Sequence, residues 1–100
     1  MNYLRVTILI PIEKERVLEE ALKQIDLSYM HFLKVRGHGC NPNFYASDWS
    51  EQVAKFELVI ADDQLAAVKS VVKKACQSGL DDDGMIAVTS LTEMVSIKEL

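Results

Sequence analysis

Hydrophobic and polar positions alternate at the start of the chain. Leu4, Val6, Ile8 and Ile10 fall on one side of an extended segment, and Tyr3, Arg5, Thr7 and Leu9 on the other. A period of two predicts a strand, and Pro11 ends it. The period then lengthens. Val17, Leu18, Ala21, Leu22 and Ile25 recur at helical spacing, which predicts a helix from Glu13 to Gln24 with Glu13, Lys14, Glu20 and Lys23 facing outward. Glu13 and Glu15 suit the positive end of that helix's dipole. Asp26-Leu27-Ser28 connects it to a second strand, Met30 to Arg36, carrying Phe32, Leu33 and Val35.

Alternation is lost from Gly37 to about Gln52, where Gly, Asn, Pro, Ser and Asp dominate. It resumes in a third strand, Val53 to Ile60, with Ala54, Phe56, Leu58 and Ile60 on one face. Asp62 or Asp63 is expected to cap the next helix. Leu65, Val68, Val72, Ala75 and Cys76 form that helix's apolar stripe, and Gly79 is a natural stop. A fourth strand is expected from Met85 to Leu91. Alternation continues through Thr92 to Leu100 and predicts a short edge strand there. The order βαββαβ implies a single α+β domain over residues 1–100. Its architecture is ferredoxin-like: an antiparallel four-stranded sheet, two helices on one face, and a long loop between strands 2 and 3.

Composition narrows the function classes. The 100 residues are 49% hydrophobic, enough for one core, and the net charge of -4 argues against nucleic acid as the main partner. No apolar run approaches a membrane span, and the start moves straight into a strand pattern without a signal-peptide cleavage site. A cytoplasmic protein without membrane insertion is expected. Cys76 sits on an apolar helix stripe and Cys40 in the polar loop, so a cytosolic disulfide between them is not expected. No Ser-His-Asp order with a nucleophile elbow and no G-x-x-x-x-G-K-[ST] loop occurs, so an enzyme is not expected.

Two glycine-bearing bends carry the candidate chemistry. Val35-Arg36-Gly37-His38-Gly39 opens the long loop, and Ser78-Gly79-Leu80-Asp81-Asp82-Asp83-Gly84 joins the second helix to the fourth strand. Glycine lets backbone N–H groups approach an anion, and it also simply permits a tight turn; both readings apply at Gly37, Gly39 and Gly84. Asp81, Asp82 and Asp83 read as a solvated turn or as a divalent-cation site. His38 and Cys40, two residues apart, are candidate metal ligands, with His31 or a neighbour's acid as a further donor. Otherwise His31 is an ordinary packed or surface side chain. Phe44, Tyr45 and Trp49 either pin the loop down or anchor a protein partner.

These segments together resemble the P-II signalling proteins. The resemblance covers Leu4 to about Lys98. It rests on the element order, on Lys34-Val35-Arg36-Gly37-His38-Gly39 before a long loop, and on Ser78-Gly79 followed by Asp83-Gly84-Met85-Ile86-Ala87-Val88. The first matches the family's strand-two glycine pair and T-loop, the second its B-loop. The resemblance implies a homotrimer with sheets inside and helices outside, and an effector cleft between neighbouring subunits. It implies an adenine nucleotide (ATP, ADP or AMP) in that cleft and a loop, Gly39–Val53, that regulates a protein partner such as a membrane transporter or a metabolic enzyme. Gly37, His38, Gly39, Asp83, Gly84 and Lys98 would line the cleft.

The chain departs from the family pattern where charge matters. Met85 replaces the B-loop lysine, and Ser96 and Lys98 stand where two arginines usually grip the polyphosphate. Short-range attraction to a phosphate is worth on the order of several kcal/mol in a partly buried cleft. Losing cations beside an acidic run should weaken triphosphate binding by orders of magnitude, while backbone N–H groups could still hold a smaller anion. A metal-handling trimer on the same scaffold, using His38, Cys40 and the Asp81–Asp83 run, is the alternative from another class. A small-anion or bicarbonate sensor, or a partner-binding trimer without a small ligand, is a third.

Overall fold

The computed structural model describes residues 2–37, 51–79 and 83–100. Four strands form one antiparallel sheet in the order β2-β3-β1-β4: β1 (Tyr3–Pro11), β2 (Tyr29–Gly37), β3 (Glu51–Ala61) and β4 (Met85–Ser90). Helix α1 (Glu15–Leu22) links β1 to β2, and α2 (Leu65–Cys76) links β3 to β4. This is the expected ferredoxin-like arrangement. Each helical crossover spans one intervening strand, so β1 and β3, the strands each helix leaves, lie together at the centre.

The central pair carries the core because alternation sends one side of each strand under the helices. Val6, Ile8 and Ile10 of β1 meet Ala54, Phe56, Leu58 and Ile60 of β3, all buried. The register pairs Val6 with Leu58 and Ile8 with Phe56. Leu18 and Leu22 of α1 and Val68 and Cys76 of α2 close the layer from above. Each such side chain contributes roughly 1.5–3 kcal/mol on burial. Phe32 of β2 stacks on Phe56 with ring centroids 5.1 Å apart and extends the core toward that edge.

Several local expectations are corrected. Val17 lies half exposed rather than on the buried face of α1. Residues 12–14 and 62–64 are tight 3-10 turns, so α1 begins at Glu15 rather than Glu13, while α2 begins at Leu65, the first residue of its apolar stripe. Neither Asp62 nor Asp63 caps α2. The Gln64 side chain accepts the Ala61 N–H at 3.0 Å and donates to the Asp26 carbonyl at 2.6 Å, tying the helix start to the α1–β2 connection. Helix α2 caps at Gln77, with Gly79 just beyond at a φ of +87°. The tail forms no edge strand. After Leu91 N–H donates to the Tyr3 carbonyl at 3.0 Å, the chain ends in a 3-10 turn over Ile97–Glu99.

Candidate functional site

Gly37 and Gly84 both lie toward one end of the sheet. Gly37, the last residue of β2, pairs with Glu51 at the start of β3; Pro11 ends β1 opposite Val53; and Met85 begins β4 opposite Leu9. Gly37 and Gly84 stand three inter-strand spacings apart across the sheet, roughly 14 Å laterally, and the register offsets them further along the strands. β4 runs away from Gly84 and pairs Ser90 with Leu4 at the far end of the sheet, where the tail that carries Lys98 begins. The proposed site residues His38, Gly39, Cys40, Phe44, Tyr45 and Trp49 lie outside the described residues, as do Asp81 and Asp82.

The turn reading of Gly84 acquires a cause. Its φ is +113°, and a Cβ there would sit 2.1 Å from the Leu9 carbonyl oxygen. Glycine is required because the bend lies directly on the backbone of β1. Gly79 differs: its φ is also positive, but nothing stands within 4 Å of a built Cβ.

Asp83 closes the bend on itself. Its carboxylate accepts the Ser78 N–H at 2.8 Å, the Ser78 hydroxyl, and the Gly79 N–H at 3.1 Å. The Ser78 hydroxyl, then the two N–H groups, hold its carboxyl below the usual carboxylate range. A lowered folded value means the closure is present at neutral pH and is lost as pH falls through that lowered value. The protection of the Ser78 and Gly79 amides, taken relative to their intrinsic exchange at each pH, should therefore fall on acidification, or at neutral pH in D83N. Unchanged protection in D83N would show that the carboxylate does not hold the bend.

Behind Gly84 an open groove of about 330 Å³ separates α2 from the start of β4. Val72, Cys76 and Ile86 contribute apolar walls, Asp83–Met85 close one end, and Lys69 and Lys73 reach it from α2. Burial pushes the Cys76 thiol up, which keeps it protonated and inert at neutral pH. The two lysines escaped sequence reasoning because they are ordinary outward helix positions; only packing brings them beside the bend.

On the opposite side, the sheet face turned away from the helices carries a mixed surface. Leu9, Leu33, Val53, Val59 and Met85 lie there by strand alternation, with Leu33 46% and Met85 59% exposed. A polar rung crosses it. Thr7, Glu57 and His31 are direct partners on β1, β3 and β2. Thr7 Oγ1 donates to Glu57 at 3.3 Å, His31 Nε2 lies 3.5 Å from the same carboxylate, and Lys55 Nζ 3.8 Å from it. Sequence reading left His31 as an ordinary side chain because cross-strand register is not visible before pairing is known. Among the described residues no group of three His, Cys, Asp or Glu side chains is placed to hold a metal. No helix among them is long and apolar enough to cross a membrane.

Comparison with known proteins now bears on the whole chain. The family model for nitrogen regulatory protein P-II matches residues 3–99. The nitrogen regulatory protein GlnK of Escherichia coli K12 is 31% identical over 101 aligned positions, covering 93% of this chain and 89% of that protein. The ATP complex of Bacillus subtilis GlnK shares the fold with a TM-score of 0.77 at 19% identity, over 98% of this chain and 91% of that one. Arabidopsis thaliana PII bound to citrate gives 0.76 at 20% identity, over 96% and 81%. A match across nearly the entire chain, together with the split βαβ sheet, places this protein in the nitrogen regulatory protein P-II family of signalling proteins.

Proposed function

We propose that this chain works as a cytoplasmic homotrimer that binds a small effector between subunits and uses the loop Gly39–Val53 to regulate a protein partner, a membrane transporter or a metabolic enzyme. Gly37, His38, Gly39, Asp83, Gly84 and Lys98 line the cleft, and Phe44, Tyr45 and Trp49 serve the partner. The observation that supports the reading is the placement of Gly37 and Gly84 toward one end of the sheet in a chain of the P-II family. The half-apolar open face of the sheet supports the same assembly, with sheets inward. Effector binding transmits a signal only by contacting two loop states differently.

The relatives supply ligands to try: ATP for Bacillus subtilis GlnK and citrate for Arabidopsis PII. With Met85 in the B-loop lysine's place, ADP or AMP should bind this chain better than ATP. Thermal shift with ATP, ADP, AMP, bicarbonate and citrate checks the order, since a ligand that binds only the folded state raises the melting temperature. M85K should raise ATP affinity about tenfold or more, the effect of roughly 1.4 kcal/mol of added phosphate attraction. No shift with any nucleotide up to millimolar concentration would overturn the nucleotide reading.

A further inference from the structure

We propose that the groove between α2 and β4 binds a free single-chain aliphatic carboxylate, its headgroup at Lys69 and Lys73 and its tail along the apolar floor. Every residue involved belongs to one chain, so the site goes beyond the effector-cleft reading and does not depend on it. The groove exists because α2 leaves the outer edge of the sheet partly uncovered. Ile86 of β4 pairs with Ile8 of β1 on the helix side, yet Ile8 is fully buried, Ile86 is half-buried, and Val88, two residues on, is 41% exposed. The space left is about 330 Å³, at the low end of the range of small-molecule sites. A slot of that size with Ile8 and Ile10 at its floor and Val72 and Ile86 at its walls suits one aliphatic chain.

The charge around the slot is one-sided. Lys69, Val72, Lys73 and Cys76 recur at i, i+3, i+4 and i+7, so a single stripe of α2 presents two ammonium groups and the apolar wall together. Both lysines are exposed, and neither has a carboxylate at ion-pair distance among the described residues, whereas Lys23 pairs with Glu19 and Lys55 with Glu57. Their stems can lie along the apolar wall while the ammonium groups stay at the mouth. Among the described residues the one acid that lines the groove is Asp83, past Cys76 at the opposite end. Its carboxylate is already engaged by the Ser78 and Gly79 N–H groups. Lys69 stands roughly 10 Å from Cys76 along the helix axis. A ligand carboxylate is therefore repelled from the Asp83 end and drawn to the lysine end, which sets the direction of the chain. Its methyl end lies toward Cys76 and Met85, and the unbranched Met85 side chain, 59% exposed, can fold over it.

Titration calorimetry with hexanoate, octanoate and decanoate, each below its micellar concentration, tests this. Octanoate should bind with a dissociation constant on the order of a millimolar or below. Affinity should rise about two- to fourfold per added methylene, the gain for partial to full burial of each. Acetate, which has the head without the tail, and octyltrimethylammonium, which has the tail with the opposite charge, should not bind. The double variant K69Q/K73Q, altered only at exposed positions, should bind octanoate about five- to tenfold more weakly. V72F, which fills the slot from its α2 wall, should lose binding while keeping a wild-type melting midpoint. Amide NMR shifts on adding octanoate should centre on Val72, Cys76 and Ile86. No binding of decanoate at millimolar concentration overturns the proposal. Equal binding of octyltrimethylammonium, or full affinity in K69Q/K73Q, overturns the role of the lysine pair. Amide shifts centred away from α2 and β4 overturn the location, even if V72F fails to fold.

Discussion

Gly84→Ala should be among the most damaging single substitutions in the molecule. The added methyl would lie 2.1 Å from the Leu9 carbonyl oxygen and 3.1 Å from the Ile10 Cα, so backbone rather than a flexible side chain must yield. Moving it disturbs the pairing of Leu9 with Met85 at the start of β4. The left-handed φ of +113° adds a further penalty of about 1–2 kcal/mol for any residue with a Cβ. Together these amount to about 3 kcal/mol or more, which in a domain of this size lowers the melting midpoint by roughly 12–24 °C. Gly79→Ala is the internal control. With a positive φ and open space around it, it should lose only the conformational penalty. Equal midpoints for the two variants, at matched protein concentration, would contradict the close approach of the bend to β1.

Phe56→Ala should cost about 3–5 kcal/mol. Among the described residues Phe56 is the largest fully buried side chain, and it stands at the crossing of the fold: on β3 it faces Ile8 across one ladder and Phe32 across the other. Removing its ring leaves a cavity over the centre of the sheet and strips Phe32 of its stacking partner. Phe32→Ala should be milder, because Phe32 lies on an edge strand and is already 38% exposed. Urea denaturation of the two variants measures the difference. A Phe56→Ala protein as stable as Phe32→Ala would mean that the core is not centred on β1 and β3.

The fold was legible because the strongest periodic signals belong to the elements that carry the core. Leu4 to Ile10 and Ala54 to Ile60 alternate cleanly since β1 and β3 each have one face under the helices. Weaker signals failed for identifiable reasons. Val17 repeats at helical spacing, yet α1 is short and rotates it to the rim. The tail alternates as a strand does, but Leu91 is the last residue tied to β1, and nothing in a pattern of two reports whether an edge is available. Side-chain capping by Gln64 instead of Asp62 depends on a contact with Asp26, thirty-eight residues away in sequence.

The candidate site was half legible. Gly84 was recognisable as a bend, while its contact with Leu9 follows from pairing that sequence does not print. Asp83 reads in sequence as part of an acidic run; folding turns its carboxylate back onto Ser78 and Gly79, so what it fixes is the shape of the bend. The rung of Thr7, Glu57 and His31 was hidden because its members lie in three separate strands and meet only through register. The P-II family was legible from element order and motif spacing together, and the sequence departs from the family's usual B-loop pattern at Met85, where a lysine is expected.

Native mass spectrometry with ADP in the spray solution tests the central claim most directly. A cleft shared between subunits predicts particles of three chains that carry ADP, with no nucleotide on isolated chains. Nucleotide bound to a single chain, or three chains that stay empty at saturating ADP, would contradict it.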